Sequence, residues 1–147
     1  MKIAIGSDHR GYSLKERIKK LLAGDGHEIV DVGTDSEDSA DYPDYAIPVA
    51  EKTAGGEVDR GIVICGSGIG VSIVANKVDG ARAALVWTVD QARMTRLHND
   101  SNVLALSEEI MVDENLDEIV RVWIGTEFEG GRHQRRVDKI SDYEKNR

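Results

Sequence analysis

Short apolar runs and helix-period segments alternate along this chain from its first residues almost to its last. Five runs have strand length: "KIAIGS" (2–7), "HEIVDVG" (27–33), "RGIVICG" (60–66), "RAALVW" (82–87) and "NVLALS" (102–107). Several are nearly continuous in apolar residues, the pattern of strands covered on both faces. Between them, helical periodicity runs over roughly 11–24, 44–54, 70–77 and 90–98, with another segment from about 114 to 125. The first is the clearest, since Leu14, Ile18, Leu21 and Leu22 make one stripe and "GDG" at 24–26 stops it. Pro43 suits the first turn of the second helix, where its missing N–H costs nothing. The alternation predicts parallel strands joined by crossover helices. The expected fold is therefore a three-layer, doubly wound α/β sandwich of Rossmann-like type with a five-stranded parallel sheet.

Length and composition narrow this further. The 147 residues suit one domain spanning 1–147, with a basic helical segment from about Gly130 as its only appendage. No apolar run approaches the ~20 residues that cross a bilayer. The opening "MKIAIGSDHRG" turns polar too early for a signal peptide. One cysteine forms no internal disulfide, so a reducing, cytoplasmic setting is expected. No metal-ligand set is legible, because His9, His27, His98 and His133 are far apart along the chain. A net charge of -8 argues against nucleic acid or an anionic membrane as partner. Yet "RHQRRVDK" at 132–139 places four fixed positive charges, a histidine and one acid together. That segment reads either as a solvated terminal helix or as a local anion site.

In open parallel sheets, ligands bind beyond the carboxyl ends of the strands, so the candidates are the residues that follow each strand. The first strand ends in Ser7, Asp8 and His9; the third ends in Cys65 and "GSGIG", with glycine at 66, 68 and 70; the helix after the fourth ends in His98 and Asn99. Taken singly, Asp8 reads as a helix cap, His9 as a surface residue and His98 as a helix-ending histidine. The glycine loop lacks both the Lys-Ser/Thr pair of a Walker loop and the spacing of a dinucleotide loop. It is a tight strand-to-helix turn or a cradle of backbone N–H groups for an anion. Cys65 is accordingly core filler, or a base that takes a proton while neighbouring amides stabilise the oxyanion that forms. The second arrangement suits enolisation. Arg132 and Arg136, four apart, share a face if their segment is helical, and two guanidinium groups can grip one phosphate. A small phosphorylated substrate is the economical inference.

With those residues in view, the chain resembles ribose-5-phosphate isomerase type B, in the family that also holds the galactose-6-phosphate isomerase subunits. The likeness covers Met1 to about Ile140. It rests on "GSDHRGYSLK" (6–15), "DYPDYA" (41–46), "GIVICGSGIGVSIVANK" (61–77), "ARAAL" (81–85), "RLHNDSNVLAL" (96–106) and "GGRHQRR" (130–136). The resemblance implies a metal-free and cofactor-free aldose-ketose isomerase that interconverts ribose 5-phosphate and ribulose 5-phosphate through an enediolate. It also implies a homodimer, or a tetramer built from it, whose active sites combine residues of both subunits. By position, Cys65 would move the proton between C2 and C1 with Ser67 assisting. The amides of Gly66, Ser67, Gly68, Ile69 and Gly70 would hold the enediolate oxygen, and His98 would open the sugar ring. Asp8 and Asn99 would hold sugar oxygens; His9, Arg132 and Arg136 would take the phosphate. Tyr42 and His133 also match motif positions.

Two departures from the family pattern bear on substrate. Ser67 stands where threonine is common, and Glu109 stands where relatives tend to carry a basic residue that helps bind phosphate. Either the loop turns Glu109 away and the two arginines suffice, or the substrate differs. Two other readings therefore stay open: an isomerase of another sugar (a hexose 6-phosphate or an unphosphorylated aldose), and a non-catalytic phosphosugar-binding protein.

Overall fold

The computed structural model describes residues 1–110 and 115–147. Its strands are β1 (Lys2–Ser7), β2 (Glu28–Gly33), β3 (Arg60–Cys65), β4 (Ala83–Leu85) and β5 (Val103–Ser107), all parallel, in the order β2-β1-β3-β5-β4. The helices are α1 (Tyr12–Gly24), α2 (Pro43–Ala54), α3 (Ile69–Ala75), α4 (Val89–Asn99), α5 (Leu116–Gly125) and α6 (Arg132–Lys145), with a 3-10 turn at His9–Gly11 before α1. The expected doubly wound α/β fold is the observed one. The start expected for the fifth helix, near 114, lies outside the described residues.

The sheet sorts its side chains with the period of two that a strand imposes. Ile3 and Ile5 of β1, Ile62 and Ile64 of β3, and Leu104 and Leu106 of β5 face one side, where they meet Leu14, Ile18 and Leu22 of α1 and Ile119, Val120 and Trp123 of α5. Ala4, Val63, Cys65, Val103 and Ala105 face the other, against Ala46, Val49 and Ala50 of α2 and Val71 and Ala75 of α3. Burial of each larger aliphatic side chain contributes about 1.5–3 kcal/mol. Small residues dominate the second face, so α2 and α3 lie close on the sheet. Cys65 thus ends β3 on the tightly packed side.

Where expectation and structure differ, local chemistry explains it. β4 covers only three residues of the expected 82–87, because the Arg82 and Trp87 amides at its ends donate to the side chains of Asn102 and Gln91, at 2.7 and 2.8 Å, instead of joining the ladder. Pro43 does occupy the first turn of α2. α5 stops at Gly125, and the glycine pair at 130–131, with φ of +70° and +56°, turns the chain into α6.

Candidate active site

The chain adds β2 beside β1 and then crosses back to place β3 on the other side of β1, so strand order reverses between β1 and β3. The crevice beyond their carboxyl ends is the favoured binding position of such a sheet. A cavity of about 270 Å³ opens there, lined by Asp8, Arg10, Tyr42, Cys65, Gly66, Ser67, Gly70 and Glu109.

Each wall has a local cause. Asp8 follows β1 and accepts the amides of Arg10 and Gly11 on one oxygen, Oδ1, at 3.0 and 3.1 Å, so it does cap the turn. Cys65 is 4% exposed, and its sulfur accepts the N–H of Gly68 at 3.2 Å. Gly68 has φ +74°, and a Cβ there would stand 2.6 Å from Leu85 Cδ1 and 3.0 Å from the Leu106 carbonyl, so no other residue fits the turn that aims this amide. Ser67 Oγ accepts the amide of Ile69 at 3.2 Å. Two of the five amides in the glycine loop are therefore engaged inside the loop. A Cβ on Gly70 would lie 2.8 Å from the Tyr42 ring, which sets that ring against the loop. Ser107, which ends β5, and Glu109 just after it hold Gly66: the Ser107 hydroxyl donates to its carbonyl at 2.7 Å, and the Glu109 amide donates to it at 3.0 Å.

Arg10 was not among the residues singled out from sequence. It lines the cavity and forms an ion pair with Glu109 across Gly66. Glu109 is therefore not turned away, as one expectation allowed; its charge is met by Arg10. The signal was present, since a cation in the turn after β1 and an acid after β5 end side by side in this topology. His9 lies at the same edge but not on the cavity wall; its Nδ1 is 3.1 Å from both the carbonyl and the amide of Ala40.

The remaining candidates lie elsewhere. Helices of a parallel sheet run back against the strands, so α4 ends at Asn99 just before β5 begins at Val103. His98 and Asn99 thus stand at the amino edge of the sheet, about 16 Å of strand from Cys65, and not at the carboxyl edge where sequence order groups them. Buried Arg96 fixes that corner, donating to Asp100 Oδ1 at 2.8 Å and to the carbonyls of Ser101 and Thr126 at 2.5 and 3.1 Å. At the start of α6, Arg132 and Arg136, four apart on one helix, are both exposed, and Arg136 Nη1 lies 3.4 Å from His133 Nδ1. His98 and His133, distant in sequence, stack with ring centroids 4.2 Å apart and planes 13° apart. Burial, then the neighbouring His98, holds the His133 imidazolium below the ordinary histidine range.

One chain therefore carries two separate groups of candidate residues: a buried thiol and amide loop at the carboxyl edge, and histidines with an arginine pair at the other end. A thiol beside amide donors has the parts needed to move a proton next to a carbonyl, the chemistry of an enolising enzyme. Residues 3–140 match the model of the Ribose/Galactose Isomerase family. Ribose-5-phosphate isomerase B of Escherichia coli (strain K12) is 48% identical over 146 residues, covering 99% of this chain and 98% of that protein. The structure of Clostridium thermocellum ribose-5-phosphate isomerase B superposes with a TM-score of 0.97 at 52% identity, covering 99% of both chains. That of Mycoplasma genitalium ribose-5-phosphate isomerase B, with bound ribulose-5-phosphate, gives 0.95 at 44% identity over 99% of this chain and 97% of that one. The chain belongs to the Ribose/Galactose Isomerase family, and it is an aldose-ketose isomerase.

Proposed function

We propose that this isomerase interconverts ribose 5-phosphate and ribulose 5-phosphate through an enediolate, as a homodimer with composite active sites. The observation that carries the chemistry is the Cys65 sulfur under the Gly68 amide at the head of a cavity lined by Asp8, Tyr42 and Ser67. Cys65 removes the proton from C2 of the open aldose and returns it to C1. The loop amides not committed to the sulfur or to Ser67 Oγ receive the enediolate oxygen, and Ser67 assists the proton shift between oxygens. Asp8 offers the sugar hydroxyls its Oδ2. The bound ribulose-5-phosphate of the Mycoplasma genitalium protein supports a pentose phosphate as substrate.

The separation of the half-sites supports the dimer. His98, Asn99, Arg132 and Arg136 are too far from Cys65 to serve the same sugar within one chain. A second copy related by a two-fold axis lays its amino edge beside the first copy's carboxyl edge and completes both sites at once. Exposed Ile69 and Ile73 on α3, next to the glycine loop, offer apolar surface for that contact. His98 of the second copy opens the furanose ring, Asn99 holds a sugar oxygen, and Arg132 and Arg136 take the phosphate with His9. The whole of 1–147 acts as one domain, in which α6 is part of the site. Among the described residues no helix is long and apolar enough to cross a membrane. We place the enzyme in the cytoplasm, where a free thiol base stays reduced.

Mixing two inactive variants tests the composite site. Cys65→Ser and His98→Asn homodimers should each be inactive on ribose 5-phosphate, and subunit exchange should restore about a quarter of wild-type activity, because half the dimers are mixed and one of their two sites is intact. Failure to complement, with exchange shown by native mass spectrometry, rejects shared sites. Activity on free ribose or a hexose 6-phosphate exceeding that on ribose 5-phosphate rejects the substrate.

A further inference from the structure

Glu129 has no assigned part in the reaction, yet its carboxylate faces the Nε2 edges of both stacked histidines. Its Oε2 is 3.8 Å from His98 Nε2 and 3.7 Å from His133 Nε2. Its backbone amide donates to the Leu97 carbonyl at 3.1 Å, which ties it to the residue preceding His98. His133 is 4% exposed, and its Nε2 is buried with no hydrogen-bond partner. A buried imidazole left so is costly unless something else is gained.

These three side chains have the composition of a metal set, with their ligand atoms within 4.8 Å of one another. Their geometry fits that use poorly. Two imidazoles bind one ion by converging their lone pairs, whereas rings only 13° from parallel direct theirs side by side. Parallel rings presenting one edge to one oxygen describe a different device: a flat imidazole that fixes its neighbour's plane, and a carboxylate that fixes which ring nitrogen carries the proton.

We propose that Glu129 is a positioning residue for His98: it orients the imidazole that opens the sugar ring and stabilises it when it takes up a proton, with stacked His133 holding the ring plane. This rests on the ring-opening role assigned to His98 above. The separations of 3.7 and 3.8 Å are too long for a hydrogen bond. A small movement closes one of them, so the carboxylate is poised to engage His98 as charge develops there. Because Arg136 lies against the far side of His133, phosphate binding and ring opening share one packed unit.

The test separates ring opening from proton transfer. Ribulose 5-phosphate has no furanose to open, so exchange of its C1 proton with D2O needs the phosphate contacts and Cys65 but not ring opening by His98. Glu129→Gln should lower kcat from ribose 5-phosphate about 10-fold or more, the scale on which loss of a histidine's carboxylate partner is felt. KM should change little, C1 exchange should stay at the wild-type rate, and Glu129→Asp should recover part of the loss. Equal losses in turnover and exchange, or a change in KM alone, would overturn the proposal. His98→Asn run alongside identifies the failing step. If it slows turnover from the aldose and Glu129→Gln does not, the positioning role is wrong; if it leaves that turnover unchanged, the ring-opening assignment of His98 is wrong and the inference falls with it.

Discussion

The backbone N–H of Gly68 points at the sulfur of Cys65 from 3.2 Å, and the left-handed turn at Gly68 is what aims it. The thiol and the donor are thus parts of one strand-to-loop unit, and the proposed proton transfer would use both. Cys65→Ser keeps the shape but replaces the base with a hydroxyl of much higher pKa. Turnover should fall by at least ~10²-fold, within the usual range for loss of a general base, while the far-ultraviolet spectrum and sugar-phosphate binding persist. Near-normal turnover would remove Cys65 from the role of base.

Gly68→Ala perturbs the same unit from the other side. The added methyl would lie 2.6 Å from Leu85 Cδ1 and 3.0 Å from the backbone of Leu106. Overpacking of this kind costs about 1–3 kcal/mol, with αL strain in addition. Chemical denaturation should show that loss, and kcat should fall more than binding does, because the amide no longer faces the sulfur. An alanine variant with native stability and kcat would show that the loop tolerates a side chain here.

Glu108 supplies a pH test of the wall behind the site. Burial pushes its carboxyl above the usual range, with Glu37 and Asp8 adding to the effect and an accepted N–H from Leu14 opposing it; its Oε2 is buried without a partner. A raised carboxyl pKa means that the folded protein binds the proton more tightly than the unfolded chain. Its contribution to stability is then fully present below the ordinary glutamate range and is lost as pH rises through the folded value. Glu108→Gln escapes that loss. The variant should melt above wild type at neutral pH, and the difference should shrink as pH falls toward ~4. A difference that widens on acidification would contradict the burial argument.

The sheet was legible because strands covered on both faces are nearly continuous in apolar residues, and several of the five strand-length runs show that pattern. The edge strand is shorter than its apolar run because the Arg82 and Trp87 amides are taken by the Asn102 and Gln91 side chains, a contact no apolar pattern signals. Cys65 and its glycines were legible from composition, since a glycine-rich polar loop directly after an apolar strand marks the carboxyl edge of a parallel sheet, where ligands bind. Topology hid the rest. Grouping His98 with the strand ends ignores that a helix returns the chain to the opposite edge, and the histidine stack joins residues 35 apart that share no sequence pattern. Lys15, inside a family motif, proved wholly buried and held by both oxygens of Asp31 at 2.8 and 2.7 Å. Motif membership marked a structural ion pair there as readily as a site residue.

That pair makes its own prediction. The Asp31 carboxyl loses to burial but gains more from the Lys15 and Lys19 hydrogen bonds, so it titrates below the usual range. Stability from it is present above the ordinary aspartate range and lost as pH falls through the folded value. Asp31→Asn leaves the buried Lys15 ammonium with Glu16 alone, at 3.1 Å. Breaking a buried pair from one side costs roughly 3–5 kcal/mol, here reduced by that remaining partner. Replacing both members, Lys15→Met with Asp31→Asn, should recover much of the loss in thermal stability; a double variant no better than the single would show that the charge itself was not the cause.

The Arg10–Glu109 pair decides what the missing basic residue after β5 means. Both side chains line the Cys65 cavity and meet over Gly66, so the acid after β5 is met by a cation on the turn after β1. If Arg10 leaves Glu109 for the substrate phosphate, Arg10→Ala should raise KM for ribose 5-phosphate about ten- to a hundred-fold, the value of a charge-assisted hydrogen bond of ~1.5–3 kcal/mol, and should barely affect any activity on free ribose. Glu109→Gln releases the guanidinium and removes a repulsive charge, so KM for the phosphorylated sugar should fall. Added salt should shrink that gain, because both side chains are about half exposed. Glu109→Arg is the less favourable change, since it sets a second guanidinium against Arg10 across the same glycine. A KM that rises in Glu109→Gln, or an Arg10→Ala loss equal for both kinds of sugar, would show that the pair braces the loop rather than serving the phosphate.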